Sequence, residues 1–351
     1  MEDTLDLRCG ELVEVRSEAE ILATLDEKGD LEGLPFMPEM SSFSGRQLRV
    51  HRRSDKTCDT ITGDYRGRRM QRTVHLAEAR CDGGGHGGCQ AACMFFWKEA
   101  WLKRVEPKPT APLWSLVADS TPSDSASRVA AGACNAEGLR ANSVQEGSPD
   151  DPDPAFRCQA TQLLRASSPL NWRAPGPYLR DWLSGNVGFV FLARALVFRG
   201  LYQLVRLGKG YRIKKNLYQM LARLAGEVPW PYDRGILTGR TPKESLDLVP
   251  GERVRVKPQE EILATLNGMS NRGLSFAPEM VRYCGQEHRV LARVDKIVNE
   301  KTGHLVKLPN DCIILENVIC QSECSSYRLF CPRSIYPYWR EIWLQRIDDV
   351  G

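Results

Sequence analysis

GELVEVRSEAEILATL, from Gly10 to Leu25, returns as GERVRVKPQEEILATL from Gly251 to Leu266, and this repetition decides how the chain is organised. After one deleted residue, LPFMPEM around Phe36 returns as LSFAPEM around Phe276. Both copies close on nearly one phrase, FWKEAWLKRV (Phe96 to Val105) and YWREIWLQRI (Tyr338 to Ile347). The copies start 241 residues apart. Solenoid repeats have periods of about 20–50 residues, so this is a duplicated domain.

Each copy opens with alternating apolar residues, Leu12, Val13 and Val15 or Val254 and Val256, which predict a strand. A helix of one to two turns follows, SEAEILATL or QEEILATL. Ser17 and Glu20 have capping-box spacing, and Pro258 at the matching place also suits a helix start. Next come a long loop through Pro38 or Pro278, a strand (QLRVHR, EHRVLARV), a turn (ITGDYRG, NEKTG) and a second strand (VHLAEAR, CIILENVI). Short strands joined by glycine-containing turns predict a mainly β fold with some α: two tandem SH3-like small β-barrels plus a helical insert. In the closing phrases Trp97 and Trp101, or Trp339 and Trp343, are spaced i and i+4 as in a helical turn. They are expected to cover one end of a small core rather than to form an aromatic cage.

The chain divides into a first Cys-rich repeat (1–106), a Pro/Ser/Asp-rich linker expected to be disordered (107–155), a basic amphipathic helical insert (156–240) and a second repeat (241–351). Cys134, inside the linker, is expected to be an exposed thiol. Net charge is +4, yet Asn186 to Gly226 holds eight basic residues and no acidic one. The run VGFVFLARALVFRGLYQLV (Val187 to Val205) is interrupted by Arg194 and Arg199, each opposing membrane insertion by about 2.5 kcal/mol or more, so a spanning helix is disfavoured. Three roles stay open for the insert: a helix pair packed on the barrels, a membrane-surface anchor, or a nucleic-acid surface, the last two through Arg206, Lys209, Arg212, Lys214 and Lys215.

The opening MEDTLDLRCGELVEV lacks a charged segment followed by an apolar run, so a cytoplasmic protein, peripheral to the membrane if the basic insert anchors it, is expected. Twelve cysteines in a reducing compartment read as metal ligands, reactive thiols or small core residues before disulfides. The sharpest cluster is CDGGGHGGCQAAC, with Cys81, His86, Cys89 and Cys93 around five glycines; Cys58 on the preceding strand is a further candidate ligand. Thiolate and imidazole donors suit Zn or an Fe–S cluster. The spacing matches neither a paired zinc knuckle nor a ferredoxin run, so a metal-free reactive thiol pair and a purely structural loop remain alternatives. His75, on an alternating strand, reads as a core or surface histidine. Cys312, Cys320, Cys324 and Cys331 form a weaker second candidate site without glycines or histidine.

No Walker loop, GxGxxG, HExxH or GxSxG is present. Glu39/Glu279, Asp55/Asp295 and Glu99/Glu341 recur in both copies, which argues for a fold role such as buried ion pairs with Arg49/Arg289 or Arg104/Arg346. The phrases EEILATL with a later PEM, HGGCQAAC with FWKEAWLKR, and CPRSIYPYWREIW resemble a family of bacterial proteins that share this duplicated Cys-rich module. The resemblance covers both repeats and RCQATQLLRAS. It implies a bacterial cytoplasmic protein and brings no activity with it.

These features predict a metal-binding tandem-barrel interaction or scaffold protein that docks a protein partner. The rivals are a redox or metal-dependent enzyme with a Cys-ligated metal or cluster in the first repeat, and a nucleic-acid-binding tandem module.

Overall fold

The computed structural model describes residues 5–63, 67–105, 134–146, 151–171, 176–207, 209–324 and 329–347. In the first repeat Leu12–Val15 leads into α1 (Glu18–Leu22). The Ser17 hydroxyl accepts from the Glu20 amide, and the Glu20 carboxylate accepts from the Ser17 amide, so the capping box forms as predicted. An antiparallel five-stranded sheet runs Trp97–Lys98, Thr73–Leu76, Gln47–Arg53, Leu12–Val15, Leu102–Arg104 in spatial order.

In the second repeat Ile313–Leu315, Glu287–Arg293, Arg253–Val256 and Leu344–Arg346 form the matching sheet. The register repeats as well: Leu12 faces Arg49 as Arg253 faces Arg289, and Val13 faces Arg104 as Val254 faces Arg346. A bulge falls at equivalent places, between Val50 and Arg52 and between Val290 and Ala292. Among the described residues the sheets are small and antiparallel, and none closes into a barrel.

The tryptophans do not form a helical turn. Trp97 lies on a strand, and Trp101 ends a short 3-10 turn (Glu99–Trp101) that Glu341–Trp343 repeats. All four are fully buried. Trp101 meets Phe36 edge-on at 5.2 Å and donates to Thr24; Trp343 meets Phe276 at 5.5 Å and donates to Thr265. Each such indole removes on the order of 200 Å² from water, so these pairs dominate two small cores.

The recurring glutamates do have a fold role, with other partners than the sequence suggested. Glu99 is buried against Arg53 at 2.7 Å and accepts from the Asp6 and Leu7 amides. Glu341 pairs with Arg293 and accepts from the Leu246, Asp247 and Leu248 amides. Each glutamate thereby ties the entry segment of its repeat to the 3-10 turn. Arg49 and Arg289 instead donate to the Gly10 and Gly251 carbonyls, and Arg104 and Arg346 pair with Glu11 and Glu252. Asp55 binds Arg53, whereas the Asp295 backbone is held by Gln90 and Leu308.

Between the repeats, 107–133 and 147–150 of the expected linker lie outside the described residues. The rest of it is ordered: α2 (Ala136–Ala141) and the strand Val144–Glu146 follow a buried Cys134, which packs with Leu139 in the first core rather than standing exposed. Nor does the insert begin as a helix. Cys158, Ala160, Leu163 and Ala166 join the first core, and Ser168–Pro169 pairs with Gly67–Arg69. Helices begin only at α3 (Gly176–Leu183), followed by α4 (Phe189–Arg206) and α5 (Tyr211–Ala225). α4 and α5 pack around Val205, Tyr218, Ala222 and Trp230, while α3 is fastened to the first repeat by Lys56 and Asp181 at 2.6 Å. The second repeat then starts its copy of the short helix, α6 (Gln259–Leu263), from Pro258. No described helix is long and apolar enough to cross a membrane.

Candidate metal centre

The glycine loop folds back on itself because Gly83 adopts φ +78° and lies against the backbone of Cys89. A Cβ at Gly83 would sit 2.2 Å from the Cys89 carbonyl oxygen and 2.5 Å from its nitrogen, so only glycine allows this approach. The Gly83 amide donates to Cys81 Sγ at 3.3 Å, and the His86 and Gly88 amides donate to the Gly83 carbonyl. The Cys81 amide bonds the Cys93 carbonyl at 2.8 Å and closes the loop at its base.

His86 is buried at the centre. Its Nε2 lies 3.6 Å from Cys81 Sγ, and Cys89 lines the same cleft. On its other side Nδ1 stands 3.0 Å from Glu39 Oε1, off the line of a hydrogen bond, so that Nδ1 and Glu39 Oε2 are both buried without a hydrogen-bond partner. Glu39 Oε1 accepts from the Gly85 amide at 2.7 Å and lies 4.0 Å from Cys81 Sγ. Donor atoms of Glu39, Cys81 and His86 all fall within 4.8 Å of one another, the only such group of three or more among the described residues.

Burial opposes a charged imidazole, but Cys81, Cys89 and Glu39 outweigh it and hold the His86 pKa well above its ordinary value. Burial likewise raises the Cys81 thiol. It also works against a Cys89 thiolate, yet contact with His86 and the Val298 amide (3.3 Å) brings that thiol below its usual range. Thiols, an imidazole and a carboxylate are donors from which a bound metal ion displaces protons.

The other predicted ligands divide between this cleft and other surroundings. Cys93 lines the same cleft as Cys81, His86 and Cys89, but burial pushes its thiol up to about 12. Cys58 does not line it; it interacts across the repeats with Cys331. Burial disfavours a Cys331 thiolate, but Cys58, the Arg333 amide and the Arg333 and Lys56 charges bring its pKa below the usual thiol range. Cys331 thus also faces the first repeat, where Thr57 Oγ1 lies 4.0 Å from its sulfur. Cys312 lies apart as well, packed with Val294 and Ile314 and taking a bond from Arg340 at 3.4 Å. Cys320 contacts Ser322, and the Cys324 amide donates to Glu279. His75 is a core residue as expected, fully buried with Nδ1 2.9 Å from the Phe95 carbonyl.

Two residues of the site were missed in the sequence. Glu39 was read only as a recurring structural carboxylate; the histidine in the first loop alone marks its second role. Cys158 lines the same cleft, brought there by Gln159, whose amide bonds both Phe96 backbone groups and the Pro35 carbonyl.

The loop is also the seam between the repeats. The Gln90 side chain accepts from the Asp295 and Lys296 amides, its own amide donates to the Lys296 carbonyl, and Lys296 Nζ reaches the Gly87 carbonyl at 2.8 Å. Buried Arg333, which pairs with Glu300 and lies 5.8 Å over the Phe96 ring, forms the far wall of the cleft. No protein-family model and no curated protein matches the chain, and the geometry of this seam carries the functional reading.

Proposed function

We propose that this is a metal-binding tandem-module protein in which one Zn(II), held through Cys81, His86 and Cys89, stiffens the glycine loop and braces the two repeats as a docking surface for a protein partner. The observation that carries the proposal is the division of His86, with the Cys81 thiol on one side and a carboxylate on the other. A carboxylate beside the second nitrogen is the usual support of a metal-bound imidazole, and Glu39 stands in that place. The mixed donor set favours zinc over an Fe–S cluster, which relies chiefly on thiolates. Cys158, which lines the same cleft, would complete the set from the middle segment. In this reading the repeats are SH3-like modules, and the ion adds folding free energy that small sheets lack. A metal placed at the seam would also set the angle between them.

Cobalt(II) titration tests this. One ion per chain should bind with thiolate-to-cobalt absorption, abolished by His86→Ala and weakened by Cys81→Ser or Cys89→Ser. No cobalt uptake, or a spectrum unchanged in all three variants, would refute the proposal.

A second reading draws on the lowered Cys89 thiol: Cys89, His86 and Glu39 also have the order of a nucleophile, a base and an orienting carboxylate. Under that reading metal-free Cys89 alkylates selectively near neutral pH and bound zinc is absent from the purified protein.

A further inference from the structure

We propose that the α4–α5 hairpin is a membrane-surface element that seats on anionic lipid, lying in the headgroup region rather than crossing the bilayer. The helices are amphipathic in an unusual sense, with one apolar face turned inward and a second turned out. Inward, α5 gives Tyr218 and Ala222 to the small core around Trp230. Outward, it presents Ile213, Leu217, Met220 and Leu224, spaced i, i+4, i+7 and i+11, with exposures of 77, 50, 52 and 80%. α4 does the same with Val190, Val197 and Leu204, seven residues apart and 70, 60 and 58% exposed. A stripe of this length in water marks an interaction face.

Charge selects the occupant. Arg206, Lys209, Arg212 and Arg223 are exposed around these stripes, and none has an acidic partner among the described residues. Arg194 and Lys215, by contrast, are neutralised by Glu227 and Asp233. A second copy of this chain would set basic residues against basic residues across a two-fold interface. A nucleic acid would leave the aliphatic stripe without a role. An anionic bilayer accepts both, the aliphatics entering the acyl boundary and the cations meeting phosphate. Trp182 and Tyr211, 42 and 45% exposed beside α4 and at the start of α5, are the amphipathic ring types found at that depth. The surface is separate from the metal centre and independent of that reading.

Full-length protein is sedimented with phosphatidylcholine vesicles, with and without phosphatidylglycerol. Binding should require phosphatidylglycerol and weaken as salt is raised. It should fall at least tenfold in an Ile213→Ser, Leu217→Ser double variant and in an Arg212→Glu, Arg223→Glu double variant. These side chains are exposed, so an unchanged circular dichroism spectrum is expected in both. Absence of binding by the wild-type chain, binding indifferent to either variant, or a stable dimer that the serine variant dissociates would overturn the proposal.

Discussion

Replacing Gly83 with alanine strikes the loop where its geometry is least forgiving. The residue sits at φ +78°, which disfavours an L side chain by roughly 1–2 kcal/mol. The added Cβ would also lie 2.2 Å from the Cys89 carbonyl oxygen, a backbone atom that cannot rotate away. Shifting packed backbone adds about 1–3 kcal/mol, for a combined loss of about 2–5 kcal/mol. The shift also moves Cys89 away from Cys81, so zinc affinity should fall by about tenfold or more. Gly45 supplies the control, since it has φ +73° but nothing within 4 Å of its would-be Cβ. Gly45→Ala should show only the conformational part of the loss and keep full zinc affinity. Urea unfolding with zinc or chelator present, together with zinc competition against a chromophoric chelator, reads both effects. If Gly83→Ala matched Gly45→Ala in midpoint and in zinc affinity, the close approach would not be what shapes the site.

Glu341→Gln tests the duplicated anchor. Burial opposes the Glu341 charge, but the Leu246 and Leu248 amides and Arg293 hold its pKa below the ordinary 4.5. Its stabilisation is therefore present above pH 4.5 and is lost as pH falls through the lower folded value. The variant should lose about 1.5–3 kcal/mol at neutral pH, with the difference from wild type shrinking in acid unfolding curves. Cys58→Ser should leave the metal content unchanged while costing about 1 kcal/mol of stability, because its partner is Cys331. Loss of metal in that variant, by elemental analysis, would return Cys58 to the ligand set.

The duplication, its opening strands and the Ser17 cap were legible because each rests on local pattern: alternation, spacing and a hydroxyl three residues before a glutamate; the strand register, set by pairing between distant segments, was not. The partners of Glu99 and Glu341 were not legible. A bulge near the end of the Gln47–Arg53 and Glu287–Arg293 strands changes which residues face inward, so Arg53 and Arg293 reach the buried carboxylates while Arg49 and Arg289 do not. Cys81, His86 and Cys89 were legible as a cluster because they are close in the chain and spaced by glycines. Cys158 was not, because its place depends on a segment that docks through Gln159 after a long intervening stretch. The Cys58–Cys331 contact joins residues on opposite repeats, which sequence neighbourhood could not show. Composition misled at Cys134, where polar flanks conceal a residue that packs with Leu139 in the first core.

Elemental analysis of the full-length protein purified without chelator, with acid-labile sulfide and an absorption spectrum from the same sample, tests the central claim most directly. The account predicts about one zinc per chain, no sulfide, no visible band, and loss of that zinc in His86→Ala. Iron with sulfide, or no metal in wild-type protein that remains folded, would contradict it.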